Sequence, residues 1–172
     1  MHYRELPTAV TVAAPAKLNL FLKVLGKRED GYHELETLMV SVGLYDTLQL
    51  KADPSGKIEL ACHDAGTLPP GALPRELPPA DGTNLVVRAA QLLRQVTGTQ
   101  QGARLELIKR IPMAAGLAGG SSDAAAALIG LNRLWRLDLT GRELHELAAQ
   151  LGSDVPFFLC PTPAAICRGR GE

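Results

Sequence analysis

Residues 112–127 combine the residue types that a phosphate-binding loop requires. Most side chains between positions 114 and 120 are small, so the backbone can approach a ligand closely and several N–H groups can converge on one anion. Ser121, Ser122 and Asp123 follow, and these residue types favour the N-cap of a helix. The first N–H groups of a helix and its dipole attract anions. The segment therefore predicts a phosphate-binding loop that leads directly into a helix.

The spacing in this segment excludes two common phosphate-binding motifs. No Gly-Lys-Ser or Gly-Lys-Thr closes the loop, as a P-loop requires. Gly116-x-x-Gly119-Gly120 lacks the glycine spacing of the dinucleotide-binding fingerprint, and no acidic residue follows about 20 positions later at a strand end. The alternative is a flexible surface loop capped by a helix. Such loops are commonly polar, whereas this one is apolar and small, which favours anion binding.

The overall composition is typical of a globular domain and argues against polyanionic partners. The chain has 172 residues with 18 basic and 18 acidic side chains, so we expect no binding to nucleic acid or to an anionic membrane. No apolar stretch approaches the roughly 20 residues that span a bilayer, and residues 1–12 do not resemble a signal or transit peptide, so we expect a cytoplasmic location. Cys62, Cys160 and Cys167 are widely spaced, which indicates reduced thiols and neither disulfides nor a zinc site.

Hydrophobic periodicity predicts an α+β fold in which helices cover one side of a sheet. The alternating segments predict strands over residues 9–25, 36–42, 46–51, 57–62, 103–109 and 164–167. The helical pattern covers residues 84–96, 122–135 and 141–151. Thr83 is the expected N-cap of the first helix, and Thr140 with Glu143 forms a capping box at the third. Residues 64–81 are rich in proline and predict a long surface connection.

Three segments together resemble the GHMP kinases (galactokinase, homoserine kinase, mevalonate kinase and phosphomevalonate kinase). They are residues 15–38, with Pro-Ala-Lys-Leu-Asn and Gly-Tyr-His-Glu, residues 112–127, and residues 151–158, with Gly-Ser-Asp-Val-Pro. The resemblance implies the family's N-terminal ATP-binding domain over residues 1–172, a two-layer sheet-and-helix sandwich of the ribosomal protein S5 domain 2-like type. It also implies that the family's second domain is largely missing, with its start expected at about residues 160–172.

The Gly-Tyr-His-Glu segment narrows the resemblance to kinases of non-mevalonate isoprenoid biosynthesis. The implied activity is ATP-dependent phosphorylation of the 2-hydroxyl of 4-diphosphocytidyl-2-C-methyl-D-erythritol. The alternatives are another GHMP kinase, with a sugar, homoserine or mevalonate as acceptor, and an inactive nucleotide-binding remnant. The expected partner is this small molecule, and the chain is expected to be a monomer or a homodimer.

The resemblance also assigns roles to individual residues. Lys17 and Asp154 match the family's catalytic pair, and Asn19, Tyr32 and His33 are expected to bind the substrate. Without the resemblance, Lys17 would be interpreted as a solvated strand residue, and Asp154 equally well as part of an Asx-turn before a proline. Lys17 and Asn19 are two positions apart, so on a strand they share one face.

The expected ATP-binding residues are those of the glycine-rich loop and two further positions. They are Pro112, Met113, Ala114, Ala115, Gly116, Leu117, Ala118, Gly119, Gly120, Ser121 and Ser122, with Asn84 and Lys109 near the ribose or adenine. The three alanines stand where family members have more glycines. Because alanine is tolerated at negative φ, this departure is interpreted as minor. Mg²⁺ is expected with ATP, but no set of protein ligands is identified, and Ser121, Ser122 and Asp154 are only candidates.

Overall fold

The computed structural model of the chain describes residues 1–27, 33–66 and 76–169. Their strands are β1 (His2–Leu6), β2 (Ala9–Lys27), β3 (His33–Asp53), β4 (Ile58–Asp64), β5 (Gly102–Lys109) and β6 (Ala164–Gly169). Their helices are α1 (Leu85–Thr97), α2 (Gly119–Leu134) and α3 (Gly141–Leu151), followed by a 3-10 helix at Pro156–Leu159. None of these helices is both long enough and apolar enough to cross a membrane.

One mixed sheet holds the described strands together, in the order β1-β2-β3-β5-β4, with β6 paired to β3. Only β4 and β5 run parallel to each other. The second half of β3 pairs with β5 from Thr47 onward, whereas its first half pairs with β6 up to Val40. The partners of β3 therefore change between residues 41 and 46, and there Asp46 accepts hydrogen bonds from the amides of Arg110 and Ile111, just before the glycine-rich segment.

The core lies between the sheet and the helices, as the alternating pattern predicts. Side chains such as Val12, Leu48 and Leu105 are fully or almost fully buried on the sheet face that the helices cover. The alanines and leucines of α2 from position 124 to 128 have no exposed surface. Because these side chains are small, α2 can lie close to the sheet, and at Gly130 an added Cβ would come within 2.7 Å of Leu50. The observed architecture is the predicted α+β, two-layer sandwich.

Several predicted boundaries differ from the structure. The strands predicted at residues 36–42 and 46–51 are one continuous strand, β3, and β1 was not predicted. The N-cap of α1 is Asn84 and not Thr83, because the Asn84 side chain accepts a hydrogen bond from the Val86 amide at 2.9 Å. Thr83 instead donates to the carboxylate of Asp81 from both its amide and its hydroxyl. The capping box of Thr140 and Glu143 is confirmed.

The start of α2 also differs from the prediction. The helix begins at Gly119, three residues before the predicted start, and its N-cap is Ala118 in a left-handed conformation without a side-chain cap. The Ala118 carbonyl accepts the first helical hydrogen bond from the Ser122 amide at 3.0 Å. Ser121, Ser122 and Asp123 therefore lie inside the first turns of the helix, so the prediction that one of them caps it is wrong. The glycines predicted to end the loop, Gly119 and Gly120, form the first helical turn.

Candidate active site

A cavity of about 490 Å³ lies where β2, α1, α2 and the turn after α3 meet. It brings the glycine-rich segment together with side chains from distant parts of the chain. Its lining residues are Lys17, Pro78, Pro79, Thr83, Asn84, Leu85, Lys109, Pro112, Met113, Ala114, Ala115, Gly116, Leu117, Ala118, Gly119, Gly120, Ser121, Asp123 and Asp154. Both predicted catalytic residues and all but one of the predicted loop residues are in this set. The exception is Ser122, whose side chain is fully buried beneath the loop.

The loop between β5 and α2 has an irregular backbone with three left-handed residues, Ala114 at φ 55°, Gly116 at φ 72° and Ala118 at φ 53°. The interpretation of the alanines as a minor departure is therefore wrong for Ala114 and Ala118. An L-residue in this region costs about 1–2 kcal/mol because its Cβ crowds the following carbonyl. The loop is fastened to β2 by a hydrogen bond of 3.1 Å from the Lys17 amide to the Leu117 carbonyl.

The ion pair at the cavity joins β2 to the turn after α3. Lys17 Nζ lies 3.6 Å from Asp154 Oδ2, and the two side chains are 9% and 29% exposed. Lys17 also donates to Asn19 Oδ1 at 2.5 Å, which confirms that these two residues share a strand face. Asn19 in turn donates to the Thr37 hydroxyl at 2.7 Å. The Thr37 hydroxyl donates to the Phe21 carbonyl at 2.6 Å. This chain of hydrogen bonds fixes the position of the ammonium group.

Asp154 is held by a short turn with a buried apolar base. The turn closes through a 3.2 Å hydrogen bond from the Val155 amide to the Gly152 carbonyl, and Pro156 then starts the 3-10 helix. Val155 and Phe157 are buried on either side of this proline, so the turn is anchored in the core. The Asp154 carboxylate points toward Lys17 and the cavity and remains partly exposed. A partly exposed carboxylate beside an ammonium can accept a proton from a bound hydroxyl.

A second charged cluster, which the sequence analysis did not predict, lies beneath the loop. Lys109 Nζ donates to Asp46 Oδ2 and, at 2.7 Å, to Asp123 Oδ2. All three side chains are buried, with 6% exposure at most. Asp46 also accepts hydrogen bonds from the amides of Arg110 at 2.5 Å and Ile111 at 2.9 Å. In the sequence, Asp46 begins a predicted strand and Asp123 is a candidate N-cap residue, so neither position indicated this cluster.

The electrostatics of this cluster reflect two carboxylates that share one ammonium. Burial raises the pKa of Asp123 to about 7, and the neighbouring Asp46 acts in the same direction while Lys109 opposes both. Burial by itself would lower the pKa of Lys109, but the charges of Asp123 and Asp46 outweigh it and raise that pKa above its ordinary value. Lys109 is therefore charged at neutral pH. Oδ1 of Asp123 has no hydrogen-bond partner within the described part of the chain.

The remaining predicted residues are placed differently. Asn84 lines the cavity, but its side chain is used by the fold, since it caps α1 and donates to the Pro79 carbonyl at 2.7 Å. Tyr32 lies outside the described residues, and only the backbone of His33 is described, as the first residue of β3. Within the ranges that the structure describes, no group of three or more His, Cys, Asp or Glu side chains could hold a metal ion.

Comparison with known proteins agrees with this geometry. Residues 84–161 match the family model of the GHMP kinases N terminal domain. The matched segment contains the glycine-rich loop and Asp154, so the chain resembles the N-terminal part of a GHMP kinase in both of these features.

Curated relatives of the chain include 4-diphosphocytidyl-2-C-methyl-D-erythritol kinases. The chain is 51% identical over 163 residues to that of Pelotomaculum thermopropionicum, an alignment that covers 95% of this chain and 53% of the relative. It is 49% identical over 164 residues to that of Prochlorococcus marinus, covering 95% and 48%. A crystal structure of 4-(cytidine 5'-diphospho)-2C-methyl-D-erythritol kinase matches with a TM-score of 0.71 and 42% identity, covering 94% of this chain and 53% of that one. The chain spans about half the length of the curated relatives that it matches.

Proposed function

We propose that this chain carries the nucleotide-binding and catalytic groups of a kinase that transfers a phosphoryl group from ATP to the 2-hydroxyl of 4-diphosphocytidyl-2-C-methyl-D-erythritol. The observation that carries the proposal is the ion pair of Lys17 and Asp154, which opens into the same cavity as the glycine-rich loop. Phosphoryl transfer depends on positioning and charge stabilisation more than on covalent chemistry, and this arrangement supplies both.

The loop and the start of α2 would bind the triphosphate of ATP. Residues 112–116 are exposed to the cavity, and the left-handed turns at Ala114, Gly116 and Ala118 reverse the chain so that successive amides can face one anion. The amino end of α2 adds its free N–H groups and its positive dipole end at Gly119 and Gly120. All predicted loop residues except Ser122 are retained in this proposal, because the Ser122 side chain is buried and its amide donates to the Ala118 carbonyl.

The ion pair would act on the acceptor hydroxyl. Asp154 accepts the proton that the hydroxyl loses as it attacks the phosphoryl group, and Lys17 stabilises the negative charge that develops there. The hydrogen bond from Lys17 to Asn19 holds the ammonium beside the carboxylate and away from solvent. Asn19 is not among the residues that line the cavity, and we assign it to the substrate site because it holds Lys17 in place. We assign Tyr32 and His33 to the cytidine base on the resemblance of their segment alone.

The residues around the cavity fit a magnesium ion that is held mainly by phosphate. Mg²⁺ prefers oxygen ligands and commonly uses one or two carboxylates with the phosphates of its nucleotide. Asp154 and Ser121 both line the cavity and offer such oxygens, whereas the buried hydroxyl of Ser122 does not reach it. When bound, Mg²⁺ neutralises charge on the transferred group.

The proposal is tested by measuring ADP release with ATP, Mg²⁺ and the cytidyl substrate. Asp154→Asn keeps the shape of the side chain but removes the base, so turnover should fall by about 10²–10⁴-fold while affinity for adenosine, which carries no phosphate or Mg²⁺, stays the same. Lys51→Met is the matched control, since Lys51 is an exposed strand lysine that pairs only loosely with Glu106 at 3.8 Å. Full turnover by Asp154→Asn would contradict the assigned role.

A second candidate is a nucleotide-binding protein without kinase activity, for which the cavity lined by the glycine-rich loop would be sufficient. It predicts that the chain binds a non-hydrolysable ATP analogue but releases no ADP with any acceptor. Turnover with mevalonate or homoserine, and none with the cytidyl substrate, would instead indicate another GHMP kinase.

A further inference from the structure

We infer that Lys109 is a positioning residue that clamps both ends of the phosphate-binding loop through Asp46 and Asp123, and that its ammonium does not contact the nucleotide. This inference deepens the proposed function, and its ligand-binding part rests on that function. Its structural part concerns the protein without any ligand.

The first end of the loop is fastened to the sheet by Asp46. One carboxylate oxygen accepts the amides of Arg110 and Ile111, the two residues that precede the loop. The other oxygen accepts the ammonium of Lys109. Asp46 lies in the segment of β3 where the pairing changes from β6 to β5, and it has no exposed surface. This end of the loop therefore begins at a fixed point in the sheet.

The second end is fastened by Asp123, which lies in α2 shortly after the loop. Its Oδ2 accepts the Lys109 ammonium at 2.7 Å. The same helix begins with the hydrogen bond from the Ser122 amide to the Ala118 carbonyl. The Lys109 ammonium thus bridges Asp46, which holds the first end of the loop, and Asp123, which lies shortly after its second end. Between these ends, the hydrogen bond from the Lys17 amide to the Leu117 carbonyl ties the loop to the strand of the proposed catalytic lysine.

The same geometry argues against the predicted contact of Lys109 with ribose or adenine. The side chain is only 6% exposed, and its ammonium donates to two carboxylates. If Lys109 turned toward a ligand, it would leave two buried carboxylates adjacent and unpaired, which is strongly unfavourable. The charge of the cluster therefore holds Lys109 in place, and the loop conformation depends on it.

The structural part is tested by amide hydrogen exchange in the ligand-free chain. Lys109→Met removes the clamp but leaves two buried carboxylates without a countercharge, which could unfold the chain. The second variant is therefore Lys109→Met/Asp123→Asn, in which the cluster keeps the net charge of −1 that it has in the wild type. We expect the amides of Lys17 and Ser122 to exchange at least about tenfold faster in the double variant, while that of Leu48 in the sheet is unchanged. Lys51→Met should leave all three amides unchanged. Wild-type exchange at Lys17 and Ser122 in both Lys109 variants would overturn the inference.

The ligand part uses inorganic triphosphate and adenosine as separate probes in titration calorimetry. A clamp acts on the loop, so the double variant should bind triphosphate at least about tenfold more weakly and adenosine within about twofold of wild type. Weaker binding of adenosine would indicate direct contact with the nucleoside and would overturn the inference. If the wild-type chain binds neither probe, the proposed function fails, and hydrogen exchange still decides whether the clamp exists.

Discussion

Two adjacent glycines at the start of α2 are expected to respond in opposite directions to the same substitution. A Cβ built on Gly119 would lie 3.0 Å from Cγ2 of Ile111 and 3.2 Å from Nζ of Lys109. At Gly120 the nearest atom would be Cδ1 of Leu85 at 3.8 Å, which is an ordinary van der Waals distance. The structure therefore predicts that Gly119→Ala is destabilising and Gly120→Ala is stabilising.

The change in the free energy of unfolding depends on whether the side chains next to the new Cβ can move away from it. Ile111 is 2% exposed and Lys109 is held by two carboxylates, so neither neighbour of Gly119 can give way freely. Overpacking of this kind costs about 1–3 kcal/mol. Alanine also restricts the unfolded chain and favours the helix by about 0.5–1 kcal/mol relative to glycine. The net expectation is a loss of about 0–2.5 kcal/mol, centred near ~1 kcal/mol, for Gly119→Ala and a gain of about 0.5–1 kcal/mol for Gly120→Ala.

The free energy of unfolding measured in urea distinguishes the two variants. Each is compared with the wild type at one pH, with the dependence on urea concentration checked for a constant slope. In an Ile111→Ala background the closest contact of the new Cβ is gone, so the penalty of Gly119→Ala should shrink. Equal free energies for Gly119→Ala and Gly120→Ala, or an undiminished penalty in the Ile111→Ala background, would refute this account of the packing.

Two further predictions concern the charge and the backbone of the same region. Because burial raises the pKa of Asp123 from 3.8 to about 7, its protonated form favours the folded state. This contribution is fully present below pH 3.8 and is lost as the pH rises through about 7. The free energy of unfolding, measured in urea titrations of the wild type and of Asp123→Asn, should therefore decrease in the wild type relative to the variant as the pH rises from 3.8 through about 7. A difference between the two proteins that does not change with pH would contradict the raised pKa of Asp123. Ala118→Gly should stabilise the chain by about 0.5–1 kcal/mol. It removes the cost of a left-handed alanine, about 1–2 kcal/mol, but about half of this is offset by the larger backbone entropy that glycine loses on folding. Ala115→Gly, outside the left-handed region, should lower the free energy of unfolding, and changes of the same sign in both variants would contradict the strain.

Local patterns predicted most of the secondary structure. The alternation of β2 and β5 and the periodicity of α1 and α3 placed these elements within about two residues, because such patterns depend on neighbours close in sequence. The boundary of α2 was wrong because its first residues are glycines, which carry no cap signal, and because the turn depends on Ala118. The continuity of β3 was missed because residues 43–45 were left between two predicted strands, whereas pairing with β2 at Val42 and Tyr45, on either side of a register shift, keeps the strand continuous.

The candidate site was predictable to the extent that its residues lie within local motifs. The sequence predicted the glycine-rich loop, Lys17, Asn19 and Asp154 as site residues. The structure brings the loop, Lys17 and Asp154 to one cavity and places Asn19 behind them, where it accepts a hydrogen bond from Lys17. The internal cluster around Lys109 was not predicted. Its partners lie on a different strand and in a helix, and no local rule indicates which buried carboxylate an ammonium will meet.

The sequence by itself determined the residue types of a phosphate-binding loop, the periodicity of its flanking elements and the resemblance to the GHMP kinases, because all of these are properties of neighbouring positions. Only the tertiary structure decided that Lys17 lies 3.6 Å from Asp154, that Ala114 and Ala118 adopt left-handed conformations, and that Lys109 is enclosed by two carboxylates. These features depend on which strand and helix pack together. Burial then fixes charges and backbone angles that an isolated segment would not adopt.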